Sequence, residues 1–262
     1  MKKEGKKKTN WKTKDNRFVA FFDLLGFKDK VMRYSHEDIY GELSKLSILR
    51  KKLEIAVYDE QIENLFEDVD IYIVSFSDSI ALFSKNDSLD NFKFFTISVL
   101  GLFSNAIKNK IAIKGGISHG MVSINKSEQI YFGQPIIDAY LVEEDVNFLG
   151  IVCHNSIDKY LKSINFQDLN FESSIYKFYE TPLKCGNIKH FFIDYYYFLV
   201  DSAKKINDAD KDSHVKFIIA VLNEFYETVS GSPRRYIDNT IKLVEDLEKK
   251  KILQLNKNLK VK

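Results

Sequence analysis

Two aspartates stand at the ends of apolar runs, where an acidic side chain is costly. Asp23 closes the run from Phe18 to Phe22 and is followed by Leu24, Leu25, Gly26 and Phe27, so a buried strand ends on a carboxylate and turns through Gly26 into a helix. Asp78 lies between Ser77 and Ser79, with apolar runs on either side, which puts it at the tip of a hairpin. An ionised carboxylate beside apolar strands needs a cation or several N–H donors to offset its lost hydration. Two of them at the ends of neighbouring central strands can hold one or two divalent cations against a triphosphate. Each residue alone also has a plainer role, as an Asx turn or helix cap for Asp23 and a turn residue for Asp78.

The elements that must position these residues follow from hydrophobic spacing. Strands are expected at Phe18–Phe22, Ile71–Phe76 and Ser79–Phe83, then from Ile111 to Ile124, at Gln129–Phe132 and at Phe148–Cys153. Apolar residues at spacings of three and four predict helices from His36 to Tyr58 and from Leu89 to Asn109. Gly133-Gln134-Pro135 opens a helix to about Asp145, and Asn155 or Ser156 caps another that ends at Lys162. Two further strands, Tyr176–Thr181 and His190–Asp194, precede helical segments at Tyr195–Ile206, His214–Val229 and Pro233–Lys251. The order is that of an α/β (α+β) protein with a ferredoxin-like βαββαβ core, extra strands and C-terminal helices. Residues 1–15 read as a disordered basic tail, 16–194 as the main domain and 195–262 as a helical extension that serves as an appendage or a dimer surface.

At 262 residues, 45% hydrophobic and 14% aromatic, the chain can bury a substantial core. A net charge of +2 does not call for a polyanionic partner, and the seven lysines among the first fourteen residues read as a solvated tail. Neither nucleic-acid nor membrane binding is expected. No apolar stretch reaches the roughly 18 residues of a membrane span. Two cysteines, Cys153 and Cys185, without close pairing fit a reducing cytoplasm.

These residues, in this order, resemble the class III nucleotidyl cyclase catalytic domain. The first-strand motif is met by Phe21-Phe22-Asp23-Leu24-Leu25-Gly26-Phe27, the hairpin Asp by Asp78, the Gly-Ile-x-x-Gly strand by Gly116 to Gly120, and the Phe-Gly before a helix by Phe132-Gly133. The similarity covers about Arg17 to Asp194. It departs from the purine cyclases in telling places. Tyr72 stands for the base-reading Lys, Ile130 for a second base-reading residue, and Ile137 and Leu141 for the Asn and Arg that stabilise the transition state. With the Lys114-Gly115-Gly116-Ile117 strand, this pattern is similar to the bacterial pyrimidine cyclases of Pycsar anti-phage systems, which make cyclic CMP or cyclic UMP for a separate effector protein.

The resemblance implies that Asp23, Asp78 and the Leu24 carbonyl hold two Mg2+ or Mn2+ ions. It implies that backbone N–H groups of Leu25, Gly26 and Phe27 cradle the β- and γ-phosphates, that Tyr72 closes the base pocket, and that Lys184 contacts phosphate; Lys114, beside Gly115-Gly116, is placed to reach the triphosphate or a partner subunit. It also implies a head-to-tail homodimer with its active sites at the interface. On their own spacing, Lys114 reads as a solvated lysine, and Asp138 and Glu143 as separate solvated acids, since residues five apart do not share a helix face. Two rival functions stay open, a purine cyclase and an inactive cyclase-like binding module.

Overall fold

The computed structural model describes residues 10–56, 64–199, 211–227, 229 and 231–259. The chain order is β1 (Lys14–Leu24), α1 (Phe27–Arg33), α2 (His36–Ala56), β2 (Ile71–Phe76), β3 (Ser79–Ser84), α3 (Leu89–Lys108), β4 (Ile113–Asn125), β5 (Ile130–Phe132), α4 (Gln134–Asp145), β6 (Ile151–Cys153), α5 (Asn155–Ser163), α6 (Asn170–Ile175), β7 (Tyr176–Leu183), β8 (Gly186–Ile193), α7 (Lys211–Asn223) and α8 (Arg234–Leu259). The sheet runs β2-β3-β1-β4-β6-β8-β7, with β5 paired to β4. Its first four strands are antiparallel in the order β2-β3-β1-β4, which is the strand order of a ferredoxin-like core. Only β4 and β6 pair in parallel among the described residues. The expected α+β class and ferredoxin-like core with added strands are therefore present.

Side-chain alternation along β1 divides the sheet into two faces. Phe18, Ala20, Phe22 and Leu24 join the main core, together with Leu46 of α2 and Phe92, Phe95 and Phe103 of α3. Val19 and Phe21 point to the opposite face, a smaller cluster with Val122 and with Ala139 of α4. By the same alternation Asp23 belongs to this second face. α3 forms where its pattern says it should, with the Ser88 hydroxyl accepting from the Asn91 N–H at its start and a wide apolar stripe turned to the sheet.

The Gly115-Gly116 pair on β4 lets both faces close. A Cβ on Gly115 would lie 2.3 Å from the Phe22 ring, and one on Gly116 would lie 2.2 Å from the Ala139 carbonyl oxygen and 2.8 Å from the Glu143 nitrogen. The backbone of α4 thus rests directly on β4, which only a residue without a side chain permits.

Several expectations need correcting. The tail from residue 1 to 9 lies outside the described residues, but the disorder predicted for 10–15 does not hold, since β1 starts at Lys14 and Trp11 donates to Asp70 at 2.6 Å. The helix predicted at Tyr195–Ile206 is a short 3-10 turn, Tyr196–Phe198, as far as it is described. Fully buried Tyr195 donates to the Leu149 carbonyl at 2.7 Å, an anchor that periodicity alone does not reveal. The C-terminal helices share the main core through Leu222, Phe225, Ile237 and Val244, so they are not a loose appendage. Thr240 of α8 accepts a hydrogen bond from the Leu149 N–H at 2.8 Å.

The close seat of α4 yields a first prediction. Gly116→Ala forces the α4 backbone off the sheet and should lower the unfolding free energy by about 1–3 kcal/mol, read from urea denaturation; an unchanged midpoint would show that α4 yields without cost.

Candidate active site

Asp23 is the last residue of β1 that faces the α4 side. Its Cα partners are Ser79 on β3 and Lys114 on β4, so it stands between the two strands that flank β1. Asp78 is the second residue of the two-residue turn between Phe76 and Ser79. Ser77, the first, has φ 55°, the positive angle that tight hairpin turns require there. The Asp78 carbonyl accepts from the Leu24 N–H at 3.0 Å, pinning the hairpin tip to the end of β1. That bond brings the two carboxylates into one electrostatic neighbourhood.

The acidic charge there is not neutralised. Burial, then the charges of Glu143 and Asp78, push the Asp23 carboxyl up to about 7, with Lys114 opposing and Glu144 adding to the effect. Lys114 is occupied elsewhere. Its ammonium lies 2.7 Å from Glu143 Oε1 and donates to the Glu143 carbonyl at 2.7 Å and the Glu144 carbonyl at 3.4 Å. This is a buried ion pair that also caps the C-terminal end of α4. Lys114 is 5% exposed and Glu143 3%. The expectation of a solvated Lys114 is corrected: the lysine is buried and paired with Glu143. The expectation of a solvated Glu143 is corrected too, while Asp138 does lie apart, its carboxylate 3.6 Å from His154.

The remaining candidates distribute along the sheet. Lys184 is exposed in the β7–β8 turn, where its N–H donates to the Asp145 carbonyl at 2.7 Å and its charge stabilises ionised Glu143. It therefore sits at the Asp23 end. The Leu25 N–H donates to Ala112 O at 2.9 Å, so that amide is committed within the protein and the expected three-amide cradle is reduced to Gly26 and Phe27. Gly26 has φ 74° at the turn into α1. Leu24 is buried.

Tyr72 is further away. It pairs with Phe83, and Phe83 with Val19, which is four residues before Asp23. At roughly 3.3 Å per strand residue that is about 13 Å along the sheet. The Tyr72 hydroxyl shares a 2.7 Å hydrogen bond with Tyr131, and the Lys126 ammonium lies 4.5 Å from its ring centroid and 3.7 Å from that of Trp11. Burial and the Tyr131 bond push its pKa up to about 12, so the phenol is neutral. Tyr131, Lys126 and Trp11 are residues that the sequence reading missed; Tyr131 shows no signal beyond lying next to Ile130.

Among the described residues no group of three or more His, Cys, Asp or Glu is arranged to hold a metal. The Asp23–Asp78 pair still fits a hard divalent cation, because Mg2+ is commonly held by one or two carboxylates, the rest of its shell being water and substrate phosphate. Burial and then neighbouring negative charge raise Asp23, and a bound cation would offset both by favouring the ionised carboxylate. Both cysteines are free, Cys153 buried and Cys185 exposed. No helix among the described residues is long and apolar enough to cross a membrane.

No protein-family model and no curated protein matches the chain. Solved structures that resemble it include the catalytic core of a rhodopsin-guanylyl cyclase with converted specificity in complex with ATPalphaS, at 16% identity over 68% of this chain and 94% of that one, TM-score 0.49. The adenylyl cyclase CyaB from P. aeruginosa shows 15% identity over 74% of this chain and 98% of that one, TM-score 0.44. A bacterial light-regulated adenylyl cyclase shows 12% identity over 58% and 81%, TM-score 0.43. At such identities the fold assignment rests on strand order and register.

The raised carboxyl gives a pH prediction with a definite sign. Asp23 binds its proton more tightly in the fold than in the unfolded chain, where its pKa is about 4. Its contribution to stability is thus full below about pH 4 and is lost as pH rises through about 7. Without divalent cations, the unfolding free energy should fall across that window, and Asp23→Asn should flatten the fall; an identical slope in the variant would contradict the assignment.

Proposed function

We propose that this chain is a nucleotidyl cyclase acting on a pyrimidine nucleoside triphosphate, converting CTP or UTP into 3′,5′-cyclic CMP or cyclic UMP and pyrophosphate. The observation that carries the reading is the convergence of Asp23 and Asp78 at one end of β1, where they repel one another while the neighbouring Lys114 is paired with Glu143. In the reaction the ribose 3′-oxygen bonds to the α-phosphorus and the bond to the pyrophosphate oxygen breaks. Two divalent ions, Mg2+ or Mn2+, when bound, supply acidification of the 3′-hydroxyl and neutralisation of the leaving group. Asp23, Asp78 and the Leu24 carbonyl hold them. Gly26 and Phe27 amides and Lys184 receive the triphosphate, and the buried Lys114–Glu143 pair fixes the floor beneath.

Tyr72 and Tyr131 offer the base a pair of hydroxyls that can each donate or accept. Their distance from Asp23 within one protomer supports base recognition in trans, by a second copy in a head-to-tail dimer. The outer side of α4 and the adjacent β4–β5 ribbon are apolar and exposed, with Met121, Phe132, Ile137, Tyr140 and Leu141. That surface suits a homodimer interface. The resemblance further supports a cytoplasmic messenger role, the cyclic product being read by a separate effector in anti-phage defence. One observation favours a second reading, an inactive cyclase-like binding module: Ile137 and Leu141 are exposed where cyclases carry their transition-state Asn and Arg.

Incubating the purified chain with each of the four NTPs and Mn2+, with products resolved by mass spectrometry, separates these readings. Cyclic CMP or cyclic UMP is expected, lost to background in Asp23→Ala and Asp78→Ala and reduced in Tyr72→Ala. Cyclic AMP or cyclic GMP would instead support a purine cyclase, and no product from any NTP the inactive module.

A further inference from the structure

The C-terminal helices reach the triphosphate end of the site. A cleft beside the β1–α1 turn is lined by Leu25, Gly26, Arg33, Ala112, Leu149 and, from the first turns of α8, Tyr236. Its cavity volume is about 90 Å³, below the roughly 300 Å³ at which sites for whole small molecules begin. Gly26 lies three residues after Asp23, and the charges of Glu143 and Asp23 reach Tyr236 in its lining. α8 is held over it by Thr240 on the Leu149 N–H at 2.8 Å and by the Asn239 amide donating to Asn147 O at 2.6 Å.

The polar side chains lining this cleft are those of Asp29, Lys30, Arg33, Tyr34 and Tyr236. The half-buried Tyr236 hydroxyl makes no hydrogen bond, and the exposed Arg33 guanidinium no ion pair, among the described residues. The nearby Lys30 is paired with Glu42 at 2.6 Å. Burial and then the charges of Glu143 and Asp23 raise the Tyr236 phenol above its ordinary value, so it remains a neutral O–H donor at an acidic site. A neutral donor and a guanidinium lining one cleft suit phosphate oxygens, and a guanidinium can bind them bidentately.

We propose that Tyr236 and Arg33 are substrate-binding residues that hold the terminal phosphates of the polyphosphate tail, which makes α8 a wall of the active site. The proposal deepens the cyclase reading and rests on it for the nucleotide, but not for the polyphosphate.

The test uses the full chain, with inorganic tripolyphosphate and Mg2+ in calorimetric titration, alongside steady-state kinetics with the preferred NTP. Tyr236→Phe removes only the hydroxyl and Arg33→Ala alters an exposed side chain, so both variants should unfold as the wild type does. In each, the tripolyphosphate Kd and the NTP KM should rise about tenfold or more, the loss expected for a hydrogen bond to a charged group, while kcat stays within about twofold. Unchanged Kd and KM in both variants, or no tripolyphosphate binding by the wild type, would overturn the proposal. Tripolyphosphate binding that depends on both residues, without cyclic product from any NTP, would uphold it and remove the cyclase reading instead.

Discussion

The fold concentrates negative charge at one end of β1 and leaves part of it without a counterion. Asp23 feels the charges of Asp78 from the hairpin tip and Glu143 from α4, while the buried Lys114 ammonium is tied to Glu143. Removing charge from water without pairing it is among the costlier things a fold can do. The protein accommodates it by holding Asp23 partly protonated near neutral pH. An arrangement of this kind is stable when a cation arrives and strained when none does, which is the physical content of the catalytic reading.

Every neighbouring feature serves to maintain that convergence. The Leu24–Asp78 backbone bond fixes the hairpin tip to β1. Gly116 lets the α4 backbone settle onto β4, so that Glu143 reaches Lys114 across a distance a bulkier strand residue would not allow. Lys114 in turn satisfies the last carbonyls of α4. Deleting either partner would strand the other in a buried setting, a loss of about 3–5 kcal/mol for a typical buried pair.

Much of this was legible in the residues. The alternation in Phe18–Asp23 and the turn residues around Asp78 place both carboxylates at strand ends, and the order of helices and strands yields the ferredoxin-like core. The Lys114–Glu143 pair was not legible, because the acid lies 29 residues away on a helix whose distance from the sheet depends on Gly116. On its own spacing Lys114 reads as solvated, so nothing local points to a buried acid beside it. The C-terminal segment was misjudged for a similar reason: its charged composition suggests solvent, whereas Phe225, Ile237 and Val244 supply a narrow apolar stripe that the core uses. Long-range pairing of that sort has no local periodicity to betray it.

The central claim is that Asp23 and Asp78 together form a cation site. Calorimetric titration of Mn2+ into the wild-type chain and into the Asp78→Asn variant, at pH 7 with a non-reactive nucleotide analogue present, addresses it most directly. The account predicts saturable binding with proton release in the wild type, both lost in the variant. Equal binding in the two proteins, or none in the wild type, would contradict it.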